Sequence, residues 1–170
     1  TPIAAALTAH VAAGKPIAGT SAGLAMLGEA LYGAMDDGSI KSPEALADPF
    51  GPANTIETQF LDIALLKGVV TDTHFKERDR LGRLFAFVAK AQSLRPEDAP
   101  TMIGVGVDES AAVAVESDGS ARIYATAPDG GAWIVDGTGL RLKSQPGPMN
   151  AAKVRVVGMG HASVLHLPQG

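Results

Sequence analysis

Cysteine is absent from the 170-residue chain, and this absence excludes several kinds of chemistry. Disulfides, thiolate metal ligands and a cysteine nucleophile are all unavailable to the sequence. An excess of basic residues is lacking too, since 14 lysines and arginines face 18 acidic residues, for a formal net charge of −4. A protein whose main partner is nucleic acid carries a basic footprint, so we expect no such partner.

Long hydrophobic runs are missing, and aromatic residues make up 5% of the chain. A membrane-spanning helix needs about 20 consecutive apolar residues, so we expect no membrane partner. Aliphatic and other apolar residues still raise the hydrophobic content to 46%, which is typical of one globular domain with a substantial core. The start at Thr1 is compatible with a removed targeting peptide, so the sequence does not decide the cellular compartment. The cytoplasm is favoured slightly over the periplasm or secretion.

Helix and strand patterns alternate in the first half of the chain, whereas short strands and turns dominate the second half. We predict helices over residues 3–13, 22–30 and 79–91, and strands over 15–18, 69–73, 102–107, 110–115, 121–126, 132–135 and 154–157. This order predicts an α/β fold: a mostly parallel sheet flanked by helices, with antiparallel β-hairpins in the C-terminal half. Residues 35–58 are predicted to be irregular, either a functional lid or a tolerated insertion.

One pentapeptide, Gly19-Thr20-Ser21-Ala22-Gly23, lies between a predicted strand and a predicted helix. The G-x-S-x-G pattern places a serine on a strained strand-to-helix turn, with its hydroxyl exposed and backbone N–H groups near enough to hold an oxyanion. The same five residues also occur in ordinary turns of chains rich in glycine and alanine. A base and an orienting acid elsewhere in the sequence would decide between the two interpretations.

His74 is the candidate base, because it follows a predicted strand directly and chemistry gathers at the carboxyl ends of parallel strands. Asp108 and Glu109 follow another predicted strand, and either carboxylate could accept a hydrogen bond from His74 and fix its tautomer. The alternative is a turn acid without a function. The remaining histidines are interpreted as surface or structural residues: His10, His161 and His166.

Three arginines, Arg78, Arg80 and Arg83, follow His74 closely. Their guanidinium groups could bind carboxylates in a bidentate manner. The alternative is a solvated helix face, on which Asp79 and Arg83 form a pair at i, i+4 spacing.

Three ordered blocks of the sequence resemble peptidase family S51, which contains cyanophycinases and isoaspartyl peptidases. The blocks are Gly19–Gly23, the stretch D-T-H-F-K-E-R-D-R-L-G-R-L over residues 72–84, and G-V-G-V-D-E over residues 104–109. The resemblance implies a sheet of the class I glutamine amidotransferase or flavodoxin type, without a cofactor or a metal. It also implies Ser21 as the nucleophile, His74 as the base, Glu109 as its orienting acid and the Ala22 N–H in the oxyanion hole. The residues that it implies for substrate binding are Asp72, Thr73, Arg78, Arg80 and Arg83.

The activity implied is that of a serine-type omega-peptidase, which cleaves isoaspartyl bonds through an acyl-enzyme and takes cyanophycin or β-Asp-Arg peptides as substrate. Thr73 stands where cyanophycinases usually carry glutamine, which weakens the case for cyanophycin itself. Members of the family are longer, and their first strands and a glycine-rich oxyanion turn precede the matching region. We therefore expect residues 1–170 to be the C-terminal part of one domain, completed by an N-terminal segment or chain and assembled as a homodimer.

Three alternatives remain at this point. Cleavage before Thr1 would create an N-terminal threonine nucleophile with its own amine as base, in a two-chain hydrolase. A second possibility is a non-catalytic binding subunit. An esterase of the α/β-hydrolase kind is disfavoured, because in those enzymes the acid precedes the histidine, whereas here the order is Ser21, His74, Glu109.

Overall fold

The computed structural model describes residues 1–35, 38–58 and 60–167. Asp36 and Asp37, in the predicted lid or insertion, lie outside the described residues. Four α-helices and nine strands occur in the described part: α1 (Pro2–Ala12), α2 (Ala22–Ala25), β1 (Ala30–Tyr32), α3 (Ser42–Ala47), β2 (Ile56–Thr58), β3 (Val69–Thr73), α4 (Leu81–Ser93), β4 (Ile103–Val107), β5 (Ala111–Val115), β6 (Ser120–Ala125), β7 (Ala132–Asp136), β8 (Val156–Met159) and β9 (Val164–His166). Two short 3₁₀ helices, Ala64–Leu66 and Gly137–Leu140, lie in the connections.

The main sheet has six strands in the order β2-β1-β3-β4-β7-β8. β1, β3 and β4 run parallel at its centre, while β2 on one side and β7 and β8 on the other pair antiparallel with their neighbours. A second, antiparallel sheet has the order β5-β6-β9. The α/β class and the antiparallel additions of the second half are therefore confirmed.

The central strands β3 and β4 are buried along their whole length. On one face of the sheet, Val70 packs in a cluster with Leu84, Phe87 and Val88 of α4. On the other face, Ile103 and further residues of β4 and β7 pack against β6 of the small sheet. Burying one such side chain fully is worth about 1.5–3 kcal/mol, so these two layers hold β3 and β4 in place.

The β4 sequence Gly104-Val105-Gly106 is explained by its packing on the α4 side. A Cβ on Gly104 would lie 2.8 Å from Leu84 Cγ, and a Cβ on Gly106 would lie 2.3 Å from the ring of Phe75. The two glycines therefore leave room for Leu84 of α4 and for Phe75, the residue that follows His74.

Helix α1 agrees with the prediction at both ends. The Thr1 hydroxyl accepts a hydrogen bond from the Ala4 N–H at 3.2 Å, Pro2 occupies the first turn, and Gly14, with φ +71°, follows the end of the helix. Strand β3 has its predicted bounds, whereas α4, predicted over 79–91, begins two residues later, because the positive φ of Asp79 excludes that residue from the helix, and also ends two residues later.

Three local predictions are wrong. Residues 15–18 form no strand and are largely exposed, since no strand in the described ranges pairs with them and an unpaired strand leaves its backbone groups without partners. The helix predicted over 22–30 ends at Ala25, and strand β1 begins at Ala30, where pairing with β2 and β3 overrides the helical tendency of alanine. Within the predicted irregular stretch 35–58, the structure has α3 and β2.

We expect Gly106→Ala to lower the free energy of unfolding by about 1–3 kcal/mol, because the added methyl group would overlap the buried Phe75 ring. Urea denaturation measures this change. Gly160→Ala is the matched control, since a Cβ on that exposed glycine meets no atom within 4 Å. Equal stability of the two variants would contradict the packing argument.

Candidate active site

Ser21 lies on a sharp turn immediately before α2, and its backbone is strained. Its φ of +50° and ψ of −123° are rarely adopted by a residue with a Cβ, at a cost of about 1–3 kcal/mol. Gly19 makes the turn sterically possible, because a Cβ there would lie 2.3 Å from the carbonyl carbon of Gly23. A Cβ on Gly23 itself would meet nothing within 4 Å, so the second glycine of the pattern has no such role.

The Ser21 turn is held beside strand β3. The Thr71 hydroxyl donates a hydrogen bond of 2.8 Å to the carbonyl of Leu24 in α2. Inside the turn, the Ser21 carbonyl accepts from the N–H groups of Leu24 and Ala25, while the Ser21 hydroxyl makes no cap hydrogen bond to α2. The Ala22 N–H, predicted for the oxyanion hole, begins α2 and has no recorded acceptor in the described part of the chain.

His74 joins this serine to an acid. Its Nε2 lies 2.8 Å from Ser21 Oγ, and its Nδ1 lies 2.6 Å from Glu109 Oε1. A neutral imidazole that donates from Nδ1 to a carboxylate presents Nε2 as an acceptor, which is the tautomer that can take a proton from a serine hydroxyl. We call Ser21, His74 and Glu109 the Ser–His–Glu set. The set is open to solvent, because the Glu109 side chain is 48% exposed.

The choice between Asp108 and Glu109 is decided by burial and partners. The Asp108 carboxylate is buried and accepts hydrogen bonds from the Lys76 N–H at 3.0 Å, the Gly131 N–H at 2.9 Å and the Trp133 indole N–H at 3.2 Å. It is fully occupied by these donors, whereas Glu109 contacts His74. Asp108 therefore organises the surrounding loops, a role that sequence reasoning did not assign.

Asp72 and Arg83 form a buried bidentate ion pair. Arg83 Nε lies 2.7 Å from Asp72 Oδ2, and an Arg83 terminal nitrogen lies 2.5 Å from Asp72 Oδ1, with side chains 4% and 2% exposed. Arg83 also donates to the Ser39 hydroxyl at 2.6 Å and lies 5.4 Å from the Phe87 ring centroid. Both residues were predicted to bind substrate, but the structure engages their charges with each other.

Arg80 and Thr73 belong to the same buried network. An Arg80 terminal nitrogen donates to the Thr73 carbonyl at 2.7 Å and lies 3.7 Å from Asp72. Burial lowers the pKa of the Arg80 guanidinium below its ordinary value, and the neighbouring positive charge of Arg83 lowers the same pKa further. Thr73 itself is 8% exposed. Arg80 therefore holds the C-terminal end of β3 through its contacts with Asp72 and Thr73.

Arg78 differs from the other two arginines because its side chain is 54% exposed. A terminal nitrogen of Arg78 lies 3.9 Å from Glu109 Oε1, beside the Ser–His–Glu set. Of the five residues predicted to bind substrate, Arg78 is thus the exposed cation next to the set. An exposed guanidinium beside one carboxylate can bind a second carboxylate in a bidentate manner.

Two serines that support the network, Ser39 and Ser42, were missed by sequence reasoning. The Ser42 hydroxyl donates to the Asp79 carbonyl at 2.5 Å and accepts from the Arg83 N–H at 3.1 Å. Asp79 has a positive φ of +49°, so this contact fixes an unusual turn just before α4. Hydroxyl groups in a segment without periodicity carry no positional signal, and nothing in the sequence pointed to them.

The described residues include no metal site and no membrane-spanning helix. Among those residues, no cluster of His, Asp and Glu side chains is arranged to hold a metal ion. No helix there combines the length and the hydropathy that a bilayer crossing requires. The Thr1 hydroxyl, considered above as an alternative nucleophile, serves as the N-cap of α1.

Comparison with known proteins points to one group. The chain is 26% identical to a cyanophycinase of Trichormus variabilis over 175 aligned positions, which cover 99% of this chain and 51% of that protein. It is 32% identical to a cyanophycinase of Synechococcus elongatus over 124 positions, 72% of this chain and 33% of that protein. The chain is similar to cyanophycinases over part of their length. It spans about half the length of the cyanophycinases from Trichormus and Nostoc, and no model of a protein family matches it.

We expect Arg83→Met to lower the free energy of unfolding by about 3–5 kcal/mol, because the buried Asp72 carboxylate loses its bidentate partner and keeps only the more distant Arg80. Chemical denaturation measures the loss. Arg78→Met is the control for stability and should change it by less than about 0.5 kcal/mol, since Arg78 is exposed. An Arg83 variant as stable as the Arg78 variant would show that the buried pair has no structural role.

A surface ion pair between Lys76 and Asp129 connects the loop after His74 to the loop before β7. The hydrogen bond that Lys76 donates to Asp129 lowers the pKa of Asp129 below its ordinary 3.8, and the same bond raises the pKa of Lys76 above its ordinary 10.5. A carboxylate with a depressed pKa in the folded state stabilises the fold above its unfolded pKa, and this contribution is lost as the pH falls through the folded value.

We therefore expect wild type to be more stable than Asp129→Asn near neutral pH, with the difference vanishing as the pH falls below 3.8. At the alkaline end, the contribution of Lys76 is lost as the pH rises beyond 10.5. Thermal unfolding at a series of pH values tests this. A difference that does not shrink as the pH falls below 3.8 would contradict the pairing.

Proposed function

We propose that this chain carries the nucleophile, base and acid of a serine-type hydrolase that cleaves isoaspartyl peptide bonds of the kind found in cyanophycin. The observation that carries the proposal is the geometry of the Ser–His–Glu set: 2.8 Å from Ser21 Oγ to His74 Nε2 and 2.6 Å from His74 Nδ1 to Glu109 Oε1. The similarity to cyanophycinases supports the substrate class.

In the first step, Ser21 Oγ attacks the carbonyl carbon of the isopeptide bond while His74 Nε2 accepts the hydroxyl proton. Glu109 keeps the imidazole in the required tautomer and stabilises the imidazolium that forms. The Ala22 N–H donates to the oxyanion of the tetrahedral intermediate, with the rest of the oxyanion hole supplied by an N-terminal portion of the protein.

In the second step, the C–N bond breaks and the leaving amine takes the proton back from His74. Water then attacks the acyl-Ser21 ester with His74 again as base, which releases the acid product and regenerates the serine. Because His74 must be unprotonated to accept the proton, acidification removes activity. Arg78 binds a carboxylate of the substrate, as its exposure beside Glu109 supports.

We further propose that the active enzyme needs more of the polypeptide than these 170 residues. The chain spans about half the length of the cyanophycinase from Trichormus, so the assays below use the full-length gene product. We propose that an N-terminal portion completes the domain and that the unit forms a homodimer.

Thr73 is 8% exposed, which favours an influence on β3 over direct contact with substrate.

Ser21→Ala is expected to abolish hydrolysis, with a loss of at least about 10³-fold in kcat, because the acyl-enzyme can no longer form. The measurement compares cyanophycin, β-Asp-Arg and other isoaspartyl dipeptides as substrates, with amine release as the readout. Ser93→Ala is the control, since the Ser93 hydroxyl donates to the Lys90 carbonyl at the far end of α4. Turnover that survives in Ser21→Ala would refute the assignment of the nucleophile.

A further inference from the structure

Three hydrogen bonds join residues 75–77, which follow His74, to residues 107–109, which end in Glu109. The Phe75 N–H donates to the Val107 carbonyl at 3.2 Å. The Lys76 N–H donates to Asp108 Oδ1 at 3.0 Å, and the Glu109 N–H donates to Glu77 Oε2 at 3.1 Å. We call these three bonds the 75–77/107–109 brace.

The brace acts at the point where the histidine and its acid leave their strands. β3 and β4 pair in parallel, with Thr73 opposite Val107. His74 and Asp108 are therefore the first residues beyond the β3–β4 ladder, although the Asp108 N–H still donates to the Gly131 carbonyl at 3.1 Å. His74 also has a positive φ of +47°, which a residue with a Cβ adopts only where its surroundings enforce it.

Each side of the brace has a different anchor. Asp108 is 3% exposed and also accepts from Gly131 and Trp133, so its bond to the Lys76 N–H ties the loop after His74 to the protein interior. Glu77 is exposed and reaches back from that loop to the backbone of Glu109. Glu77, in the loop after His74, thus holds the backbone of Glu109, and Asp108, at the end of β4, holds the backbone of the loop after His74.

We propose that Asp108 and Glu77 are positioning residues, which set the distance between His74 Nδ1 and the Glu109 carboxylate through this brace. The inference rests on the proposed function, in which that distance orients the base. A hydrogen bond of 2.6 Å demands accurate placement of two side chains from different strands, and displacement by about 1 Å costs on the order of 10²-fold in rate.

The test uses Glu77, because an exposed side chain can be replaced without unfolding the protein. Glu77→Ala removes the acceptor of the Glu109 N–H, whereas Glu77→Gln keeps a side-chain oxygen of the same reach. Glu116→Ala, on the turn between β5 and β6, is the matched control for removal of an exposed glutamate. Asp108→Asn is a second variant. Its amide has only one acceptor oxygen, so its NH₂ group faces at least one of the three N–H groups that donate to Asp108 in the wild type.

The first readout is the proton NMR resonance of the His74 Nδ1–H, which a short hydrogen bond to a carboxylate moves far downfield and which His74→Asn identifies by its loss. We expect the resonance in wild type, Glu77→Gln and Glu116→Ala, and its loss or upfield shift in Glu77→Ala and Asp108→Asn. A resonance unchanged in Glu77→Ala overturns the proposal, as does its absence from wild type or its equal loss in Glu77→Gln.

The second readout is kinetic and separates this inference from the proposed function. In Glu77→Ala, kcat on an isoaspartyl substrate should fall by about 10–100-fold with KM unchanged, and Glu77→Gln should restore most of it. An inert wild type whose Nδ1–H resonance still responds to Glu77→Ala would refute the hydrolase and leave the brace supported. Normal kcat in Glu77→Ala would overturn the brace alone.

Discussion

The parallel pairing of β3 with β4 is the constraint on which the site depends. Its register sets Thr73 opposite Val107, so that the next residues of both strands emerge together at one edge of the sheet. A shift by one residue would turn every side chain of one strand to the opposite face and separate His74 from Glu109. Both strands are buried on both faces, and this burial specifies the register strongly.

Much of this arrangement could be predicted from the sequence. Helix α4 carries apolar residues at helical spacing, and β3 and β4 contain valine and isoleucine between turn signals, so these patterns indicate buried elements. The geometry brings Ser21 and His74 together across 53 positions of sequence, as their placement next to strand ends suggested. These elements were predictable because local pattern and tertiary packing agree in them.

Other features depend on contacts that no local pattern carries. Residues 15–18 look like a strand by composition, yet a strand exists only if a neighbour pairs with it. The basic run after His74 divides into an exposed arginine, Arg78, and two buried ones, Arg80 and Arg83, and only the partner carboxylate of Asp72 explains the division. Asp108 and Glu109 are adjacent acids of similar chemistry, but the Asp108 side chain faces the protein interior and the Glu109 side chain faces His74. No local sequence pattern shows which acid takes which direction.

The glycines of β4 have a consequence for how this sequence can change over time. Gly104 admits Leu84, whose neighbour Arg83 reaches Asp72, and Gly106 admits Phe75, whose neighbour is His74. The distance of α4 and of the loop after His74 from the sheet therefore affects the core packing, the buried ion pair and the position of His74 together. Substitutions at these positions will combine non-additively, so that the tolerance for a change at one of them depends on the residue present at the other.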